Sequence, residues 1–163
     1  MNLLIKQNIL LMIRALYFCV EERWAELGRK HNITPAQQHI LFLLSTNKKT
    51  LTPSQISELG CWHVSTVTRL LKPLLVKGFI SVSPDKDRPK YKKVTITLAG
   101  EQLFQKLVCS VMEMEQFPLD INHLSEKEIV YFLKCGQRIL DVNKGESFGK
   151  RVINAKIKGV DYA

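Results

Sequence analysis

The chain has 163 residues and a mass of 18.7 kDa, the size of one domain or of one domain with helical extensions. Hydrophobic residues make up 45% of it and charged residues 24%, a balance that excludes a wholly disordered chain. The net charge of +9 favours an acidic partner such as a nucleic acid, although a basic surface that only keeps the protein soluble has the same charge.

The basic residues are concentrated in the middle of the chain. Residues 48–97 contain ten basic and three acidic side chains, whereas residues 98–143 contain four basic and seven acidic ones. This asymmetry favours a polyanion partner for the middle of the chain.

Neither a membrane segment nor a disulfide framework is predicted. The most apolar segment, residues 9–20, contains Arg14 and is followed by two glutamates, so no stretch is expected to span a bilayer or to act as a signal peptide. The four cysteines, at positions 19, 61, 109 and 135, are too far apart for a C-x-x-C pair. We therefore expect a protein of the reducing cytoplasm with no membrane partner.

The first predicted helix spans residues 2–30 and is apolar almost all round between Ile9 and Val20. A helix that is apolar on every side must be covered on every side, which a small monomer rarely achieves. We expect its own domain and a second chain to cover it.

The next elements predict a helix-turn-helix. Thr-Pro pairs at 34–35 and 52–53 each supply an N-cap followed by a proline at the first helical position. The second pair starts a short helix, 53–59, which Gly60 ends. After a turn through Cys61 and Trp62, a third helix runs from about His63 to Lys77, and two short helices joined by a glycine-containing turn are typical of this motif.

A β-hairpin, or wing, follows that motif. Residues 79–83 and 93–97 are β-type runs, and the basic loop 84–92 between them is rich in turn-forming residues. Helix is predicted again from Leu98 to Gln116, and from a capping box at Ser125 to Val142. The predicted fold class is mainly α with a small β-hairpin wing, a winged helix-turn-helix, followed by a basic flexible tail at 144–163.

Polar side chains occupy one face of the third helix. The i, i+3, i+4, i+7 spacing places four of them on one strip: Ser65, Thr68, Arg69 and Lys72. The opposite face carries apolar residues: Val67, Leu70, Leu71, Leu74 and Leu75. Hydroxyls, a guanidinium and an ammonium on one strip suit the major groove of DNA, although an ordinary amphipathic surface helix has the same pattern.

The wing carries further basic residues. Arg88 and Lys90 lie at its tip, flanked by lysines at positions 86, 92 and 93. A thin loop bearing arginine can enter the narrow minor groove, where the potential is most negative. Asp85 and Asp87 are expected to pair with nearby basic groups and to fix the shape of the loop.

Three short stretches carry a family resemblance. They are Ser65-Thr66-Val67-Thr68-Arg69-Leu70, Lys77-Gly78-Phe79-Ile80, and Asp87-Arg88 followed by Ile96-Thr97-Leu98-Ala99-Gly100. Each is weak alone, but in this order and spacing they resemble the MarR family of bacterial transcription regulators over about residues 5–142. Within that family, the turn at residues 60–66 is most similar to the Hpr-like branch of bacillar regulators.

The resemblance implies a homodimer that binds double-stranded DNA and acts as a repressor. The N-terminal helix (1–32) and the C-terminal helices (100–143) would form the dimerisation elements, and each winged helix-turn-helix (33–99) would read half of a pseudo-palindromic operator. The residues expected to bind DNA are Ser65, Thr66, Thr68, Arg69, Lys72, Arg88 and Lys90.

Two prolines depart from the expected pattern. Pro73 lies inside the third helix and removes a backbone hydrogen bond, at a cost of about 3 kcal/mol in an ordinary helix interior, so we expect a kink beyond the groove-facing residues. Pro89 replaces the second wing arginine common in the family, which predicts a weaker or differently angled wing.

Sensor and catalytic sites are less clearly marked. Members of the family respond to small phenolic ligands or to oxidation of a cysteine in the first helix, so the resemblance leaves a small-molecule effector open. Cys19 is interpreted as a buried apolar cysteine rather than a redox sensor. No metal-ligand spacing, phosphate-binding loop or nucleophile elbow is present, so no metal, cofactor or enzymatic activity is predicted.

One alternative function is a winged-helix module that serves only protein assembly. Replacement of Arg69 and Arg88 by alanine distinguishes the two interpretations. A DNA-binding protein would lose operator binding while its dimer stayed intact, whereas an assembly module would be unaffected.

Overall fold

The computed structural model describes residues 2–85, 88–114, 119–157 and 159–160. In chain order its elements are α1 (Leu3–Arg29), α2 (Pro35–Thr46), β1 (Thr50–Leu51), α3 (Pro53–Leu59), α4 (Val64–Val76), β2 (Ile80–Pro84), β3 (Lys92–Ile96), α5 (Leu98–Met112), α6 (Glu126–Lys144) and α7 (Glu146–Phe148), which continues as a π-helical turn, Gly149–Ile153. This is the predicted fold class, a mainly helical chain with a winged helix-turn-helix formed by α3, α4 and the β2–β3 hairpin.

The helices begin where local side-chain chemistry satisfies their first amides. Thr34, Thr52 and Ser125 each form a capping box, in which the hydroxyl accepts from the backbone amide three residues later. The N-caps predicted at Thr34 and Thr52 and the capping box predicted at Ser125 are therefore confirmed. Local residue order is sufficient for these starts because both partners lie within one turn.

The sheet contains one strand that the sequence did not predict. The strand order is β1-β3-β2, and both pairings are antiparallel. Strand β1 has only two residues, and Thr50 pairs with Thr95 while Leu51 pairs with Val94. So short a strand has no alternating pattern of its own, and only its pairing with distant β3 defines it.

The core of the winged-helix lobe, residues 33–108, surrounds α2. Ile40, Leu41, Leu43 and Leu44 of this helix are completely buried. Leucine, isoleucine and valine side chains from α3, α4, α5 and the sheet complete the same cluster. Burying these side chains is the main favourable contribution to folding of the lobe.

The two long terminal helices lie largely outside that core. Only Leu27 and Gly28 of α1 are buried, and α6 has no buried residue. By length and composition alone, α1 could cross a membrane: an 18-residue window has a mean hydropathy of 1.6, and none of that window is buried. The expectation that no stretch approaches the length of a bilayer span is therefore wrong for α1, because Lys6 and Arg14 together do not lower the mean hydropathy of so long a helix enough.

The C-terminal residues also differ from expectation. The sequence predicts a flexible tail from residue 144, but α7 and the π-helical turn fold back onto the lobe, and Gly149 is buried. Nδ2 of Asn47 donates to the carbonyl oxygen of Arg151 at 3.2 Å, and Val152 packs against the core cluster. A short basic segment with few apolar residues gives no periodic signal, so this docking could not be seen locally.

The sequence predicts a kink at Pro73 in α4 and an end at Gln116 for α5. Helix α4 continues through Pro73, which is exposed, to Val76 as one helix. Helix α5 ends at Met112, before the predicted end at Gln116, which lies outside the described residues.

Candidate nucleic-acid interface

The turn before α4 is fixed by a compact set of hydrogen bonds. The hydroxyl of Ser57 donates to the carbonyl oxygen of Trp62 at 2.6 Å, and the Trp62 amide donates back to the carbonyl oxygen of Ser57 at 3.0 Å. Between them, Cys61 adopts a left-handed backbone conformation with φ of 57°. The direction in which α4 leaves α3 is set by this turn.

His63 caps the N-terminus of α4. Its Nδ1 accepts from the Ser65 amide at 3.4 Å and lies 2.8 Å from the Ser65 hydroxyl. The sequence places the start of this helix at about His63, and the structure shows His63 as its N-cap. This cap stabilises the first turn of α4, the helix that carries most of the candidate DNA-contacting residues.

One face of α4 is exposed and polar. The exposed residues on it include Ser65, Thr68, Arg69 and Lys72. Val67 and Leu74 are completely buried on the other side. Thr66, also expected to bind DNA, is half-buried, and Leu75, expected on the apolar face, is 46% exposed.

The polar side chains on this face differ in whether they already have bonding partners within the chain. The Thr68 hydroxyl donates to the carbonyl oxygen of Val64 at 3.1 Å, so one of its bonding directions is already used. Neither Arg69 nor Lys72 has an ion-pair partner in the parts of the chain that the structure describes. Their charges are therefore available to an anionic ligand approaching α4.

Asp85 organises the wing. Its Oδ1 accepts from the Arg88 amide at 3.1 Å, and its Oδ2 forms an ion pair with Nζ of Lys93 at 2.8 Å. Its own amide donates to the carbonyl oxygen of Tyr91 at 2.8 Å. The expectation that this aspartate pairs with nearby basic groups and shapes the loop is confirmed for Asp85. Asp87 and Lys86 lie outside the described residues.

The tip of the wing presents Arg88 and Lys90, both exposed, as the sequence predicts. Tyr91 lies beside them with 57% of its surface exposed, and its amide donates to the carbonyl oxygen of Arg88 at 2.8 Å. The sequence analysis did not single out Tyr91, although an aromatic residue within a basic loop is a usable signal. The strip on α4 and the wing tip belong to different elements, which β2 joins.

An aromatic cluster supports the turn from inside the lobe. The His39 ring stacks on Phe42 at 5.9 Å between centroids and meets Trp62 edge-on at 5.4 Å. Burial lowers the pKa of His39, because the charged imidazolium would be desolvated there. Trp62 is thus a packing residue, as its position in the turn predicts.

The structure offers no metal centre in the ranges that it describes, where no three His, Cys, Asp or Glu residues are grouped closely enough to hold an ion. Cys19 is exposed on α1 rather than buried, since the described part of the chain buries only residues near the C-terminal end of that helix. The interpretation of Cys19 as a buried residue therefore does not hold within one chain.

The chain is similar to proteins whose family is known. A family model described as MarR matches residues 33–88. Similar curated proteins include the HTH-type transcriptional regulator Hpr of Geobacillus thermodenitrificans, 29% identical over 65% of this chain and 52% of the relative, and Hpr of Bacillus cereus, 28% identical over 65% and 57%. The chain thus spans about half the length of the curated relatives that it matches.

Solved structures share the fold. A mutant of MarR from E. coli, crystallised in complex with operator DNA, is 19% identical with a TM-score of 0.72 and covers 86% of this chain and 99% of its own. A MarR family transcriptional regulator from Streptomyces coelicolor is 20% identical, also with a TM-score of 0.72, over 89% and 98%.

The matched region and the geometry agree. Residues 33–88 contain α2, the α3–α4 motif and the wing up to Arg88, and these elements have the expected order and capping. The Hpr relatives also agree with the branch that the turn at residues 60–66 indicates. The chain therefore has a winged helix-turn-helix fold, and over residues 33–88 it is similar to the MarR family.

Proposed function

We propose that this protein is a dimeric, sequence-specific DNA-binding transcription repressor of the bacterial cytoplasm. The observation that carries the proposal is the exposed polar strip on α4, whose Arg69 and Lys72 lack ion-pair partners among the described residues, in a chain segment with ten basic and three acidic residues. The E. coli relative that was crystallised with operator DNA and the relatives named transcriptional regulators support the same assignment.

The residues of α4 would read the major groove. Arg69 can donate two hydrogen bonds to O6 and N7 of a guanine, and Lys72 supplies charge to a phosphate. Ser65 and Thr68 can bond base edges or phosphates through their hydroxyl groups, and Thr66 lies at the border of the strip. Base contacts would set the sequence preference, and phosphate contacts would add affinity that falls with salt.

The wing would contact the adjacent minor groove. Arg88 and Lys90 are exposed at its tip, and the bonds from Asp85 hold the Arg88 amide and the Lys93 side chain in place. Residues that are already held in place lose less conformational entropy on binding, so the wing can contribute although Pro89 replaces the arginine expected beside Arg88.

A second copy of the chain would cover the terminal helices. Exposed apolar residues line α1 and α6, among them Leu10, Ile13, Phe18, Tyr131 and Leu133. A dimer explains this surface better than a membrane because the C-terminal end of α1 belongs to the lobe. Leu27 is buried there, and Nε2 of Gln38 donates to the carbonyl oxygen of Trp24 at 2.7 Å.

The first experiment selects fragments of sheared bacterial genomic DNA bound by the purified protein at low and near-physiological salt. A pseudo-palindrome that remains enriched at the higher salt supports specific dimeric reading. Arg69→Ala should then weaken binding to that site by about 1–3 kcal/mol and relax its preference at one base pair. Lys106→Ala, which removes one charge from α5 outside both surfaces, is the control.

Three other outcomes would contradict parts of the proposal. Binding without a motif that disappears with salt would leave only a basic surface, and the assembly module would become the better interpretation. Unchanged operator binding by Arg69→Ala and Arg88→Ala would contradict the assigned reading residues. The repressor role has its own test: in vitro transcription from the selected promoters should fall when the protein is added, and a rise would indicate an activator.

A small-molecule effector is part of the proposal because family members respond to phenolic ligands. An open groove of about 720 Å³ lies between the end of α1 and α5, lined by His31, Gln102, Gln105, Lys106, Cys109 and Ser110. Titration with a simple phenolic acid should release bound operator DNA if this groove holds an effector. Retention of DNA at saturating acid would remove phenolic effectors from the proposal.

A further inference from the structure

The chain reverses direction after α6 and returns to the winged-helix lobe. Gly145, with φ of +79°, makes this reversal, and residues 146–157, here called the C-terminal segment, follow it. Gly149 of this segment is packed against α6, where a Cβ would lie 2.4 Å from Nε2 of Gln137. One end of the segment is therefore fitted closely to the helix that it follows.

The other side of the segment is attached to the end of α2. Nε of Arg151 donates to Oδ1 of Asn47 at 3.1 Å, and Nδ2 of Asn47 donates to the carbonyl oxygen of Arg151 at 3.2 Å. Val152 and Ile157 pack against the hydrophobic core beside this pair. The reciprocal hydrogen bonds join residues that are 104 positions apart, so they record a tertiary contact rather than a local turn.

Asn47 lies between α2 and β1, the short strand that pairs with β3 of the wing. The next two residues, Lys48 and Lys49, have positive φ values of 61° and 65°, and they lead directly into β1. The carbonyl oxygen of Lys49 accepts from the Ile96 amide at 3.0 Å, and its Nζ forms an ion pair with Glu101 of α5 at 2.6 Å. The segment thus touches the point where α2, the sheet and α5 meet.

We propose that the C-terminal segment is a strap that fixes the orientation of α6 relative to the winged-helix lobe, with Arg151 and Val152 as positioning residues. The inference rests on the proposed function, because α6 belongs to the dimer and the lobe carries α4. By holding the two at one angle, the strap sets the distance between the two α4 helices and selects operators of one half-site spacing.

The physical basis is the rigidity that two-fold DNA reading requires. Half-sites lie about one helical turn, roughly 34 Å, apart, and one added base pair lengthens this separation by about 3.4 Å and rotates the second half-site. A lobe that can turn on α6 accepts several spacings, whereas a strapped lobe accepts one. Releasing the strap therefore changes spacing selectivity more than it changes contacts within a half-site.

The variant that releases the strap is Arg151→Gln combined with Val152→Asp in the full chain. Its control, Lys150→Gln combined with Ile153→Asp, makes the same changes of residue type and charge in the same turn. Lys150 is exposed and Ile153 is 48% exposed, so the control leaves the docked face of the segment intact. A difference between the two variants reports docking and not charge.

The DNA measurement uses the selected operator and versions with one base pair added or removed between the half-sites. We expect the wild type and the control to prefer one spacing, and the releasing variant to lose about tenfold of that preference, because the side-chain hydrogen bond from Arg151 to Asn47 and the apolar contact of Val152 are removed. Equal spacing selectivity in all three proteins would overturn the strap. Absence of any operator for the wild type would instead contradict the proposed function.

A second measurement needs no DNA and tests the strap whether or not an operator is found. Hydrogen exchange of the free protein should quicken in the releasing variant at the Asn154 amide, which donates to the carbonyl oxygen of Gly149 at 2.8 Å, and in the C-terminal half of α6. The amides of α2 report whether the lobe is still folded. Unchanged exchange in both α6 and the segment, with a folded lobe, would show that Arg151 and Val152 do not fix α6.

Discussion

The winged-helix lobe and the terminal helices use apolar residues in opposite ways. In the lobe, Ile40, Leu41, Leu43 and Leu44 on a single helix have no exposed surface. On α1, which is more than twice as long as α2, only Leu27 and Gly28 are buried. The lobe thus encloses its own core within one chain, while α1 and α6 carry apolar surface that only another surface can cover.

This difference has an energetic consequence. Leu10 is 70% exposed and Ile13 is 54% exposed, and covering a side chain of this size stabilises an assembly by about 1.5–3 kcal/mol. Several such residues on α1 and α6 together favour association strongly. Folding of the lobe and pairing of the helices are therefore separable, and substitutions in the two regions should have different signatures.

The largest effect on folding is expected from Leu44→Ala in the centre of the lobe. Removing most of a completely buried leucine leaves a cavity, so the free energy of unfolding should fall by about 3–5 kcal/mol in urea titration. Leu10→Ala on α1 is the matched comparison, and in dilute protein its cost should be much smaller. Equal losses from the two substitutions at low concentration would show that α1 is as well covered within one chain as α2.

A charge on the exposed face of α1 should split the proposed dimer without unfolding the lobe. Ile13→Glu would place two carboxylates near a two-fold interface, and we expect the dissociation constant to rise about a hundredfold or more. Sedimentation equilibrium measures this change, and thermal unfolding at low concentration checks the lobe. Gln7→Glu introduces a charge at an exposed polar position of the same helix as the control. A stable Ile13→Glu dimer would place the interface elsewhere.

Within the lobe, Asp85→Ala should weaken the wing. The substitution removes both the acceptor of the Arg88 amide and the ion pair with Lys93, so the wing tip loses its fixed shape. Loss of a negative charge raises nonspecific DNA affinity, but we expect the ratio of specific to nonspecific affinity to fall about three- to tenfold. Asp85→Asn, which keeps an acceptor oxygen, should fall between the wild type and alanine. An increased ratio in the alanine variant would show that Asp85 opposes binding.

The smallest effect concerns pH. Burial against Phe42 and Trp62 lowers the pKa of His39 below 6.5, so the unfolded state binds the proton more readily than the folded state. The contribution of His39 to stability is therefore fully present above about pH 6.5 and is lost as the pH falls toward its folded pKa. Urea titrations at pH 8 and pH 5.5 should differ less for His39→Gln than for the wild type. An equal difference would mean that other groups control the acid sensitivity.

Much of the lobe could be predicted because its signals are local. The N-caps Thr52 and Ser125 act within a single turn, and the i, i+4 spacing of Ser65 and Arg69 defines one helical face wherever the helix is placed. Leu75 is the exception on α4: it is predicted on the apolar face, yet it lies beside the buried strip of Val67, Leu71 and Leu74 and is 46% exposed. Periodicity predicts a face, but only neighbouring elements decide how wide a part of that face is buried.

By itself, the sequence determined the order of the elements, the starts of the helices, the exposed strip on α4 and the basic wing. These features follow from contacts between residues a few positions apart, and chain order alone sets such contacts. The tertiary structure decided the pairing of Thr50 with Thr95 and the docking of Arg151 on Asn47. Both join residues far apart in the chain, and both depend on a geometry that exists only after the lobe has folded and brought its partners within bonding distance.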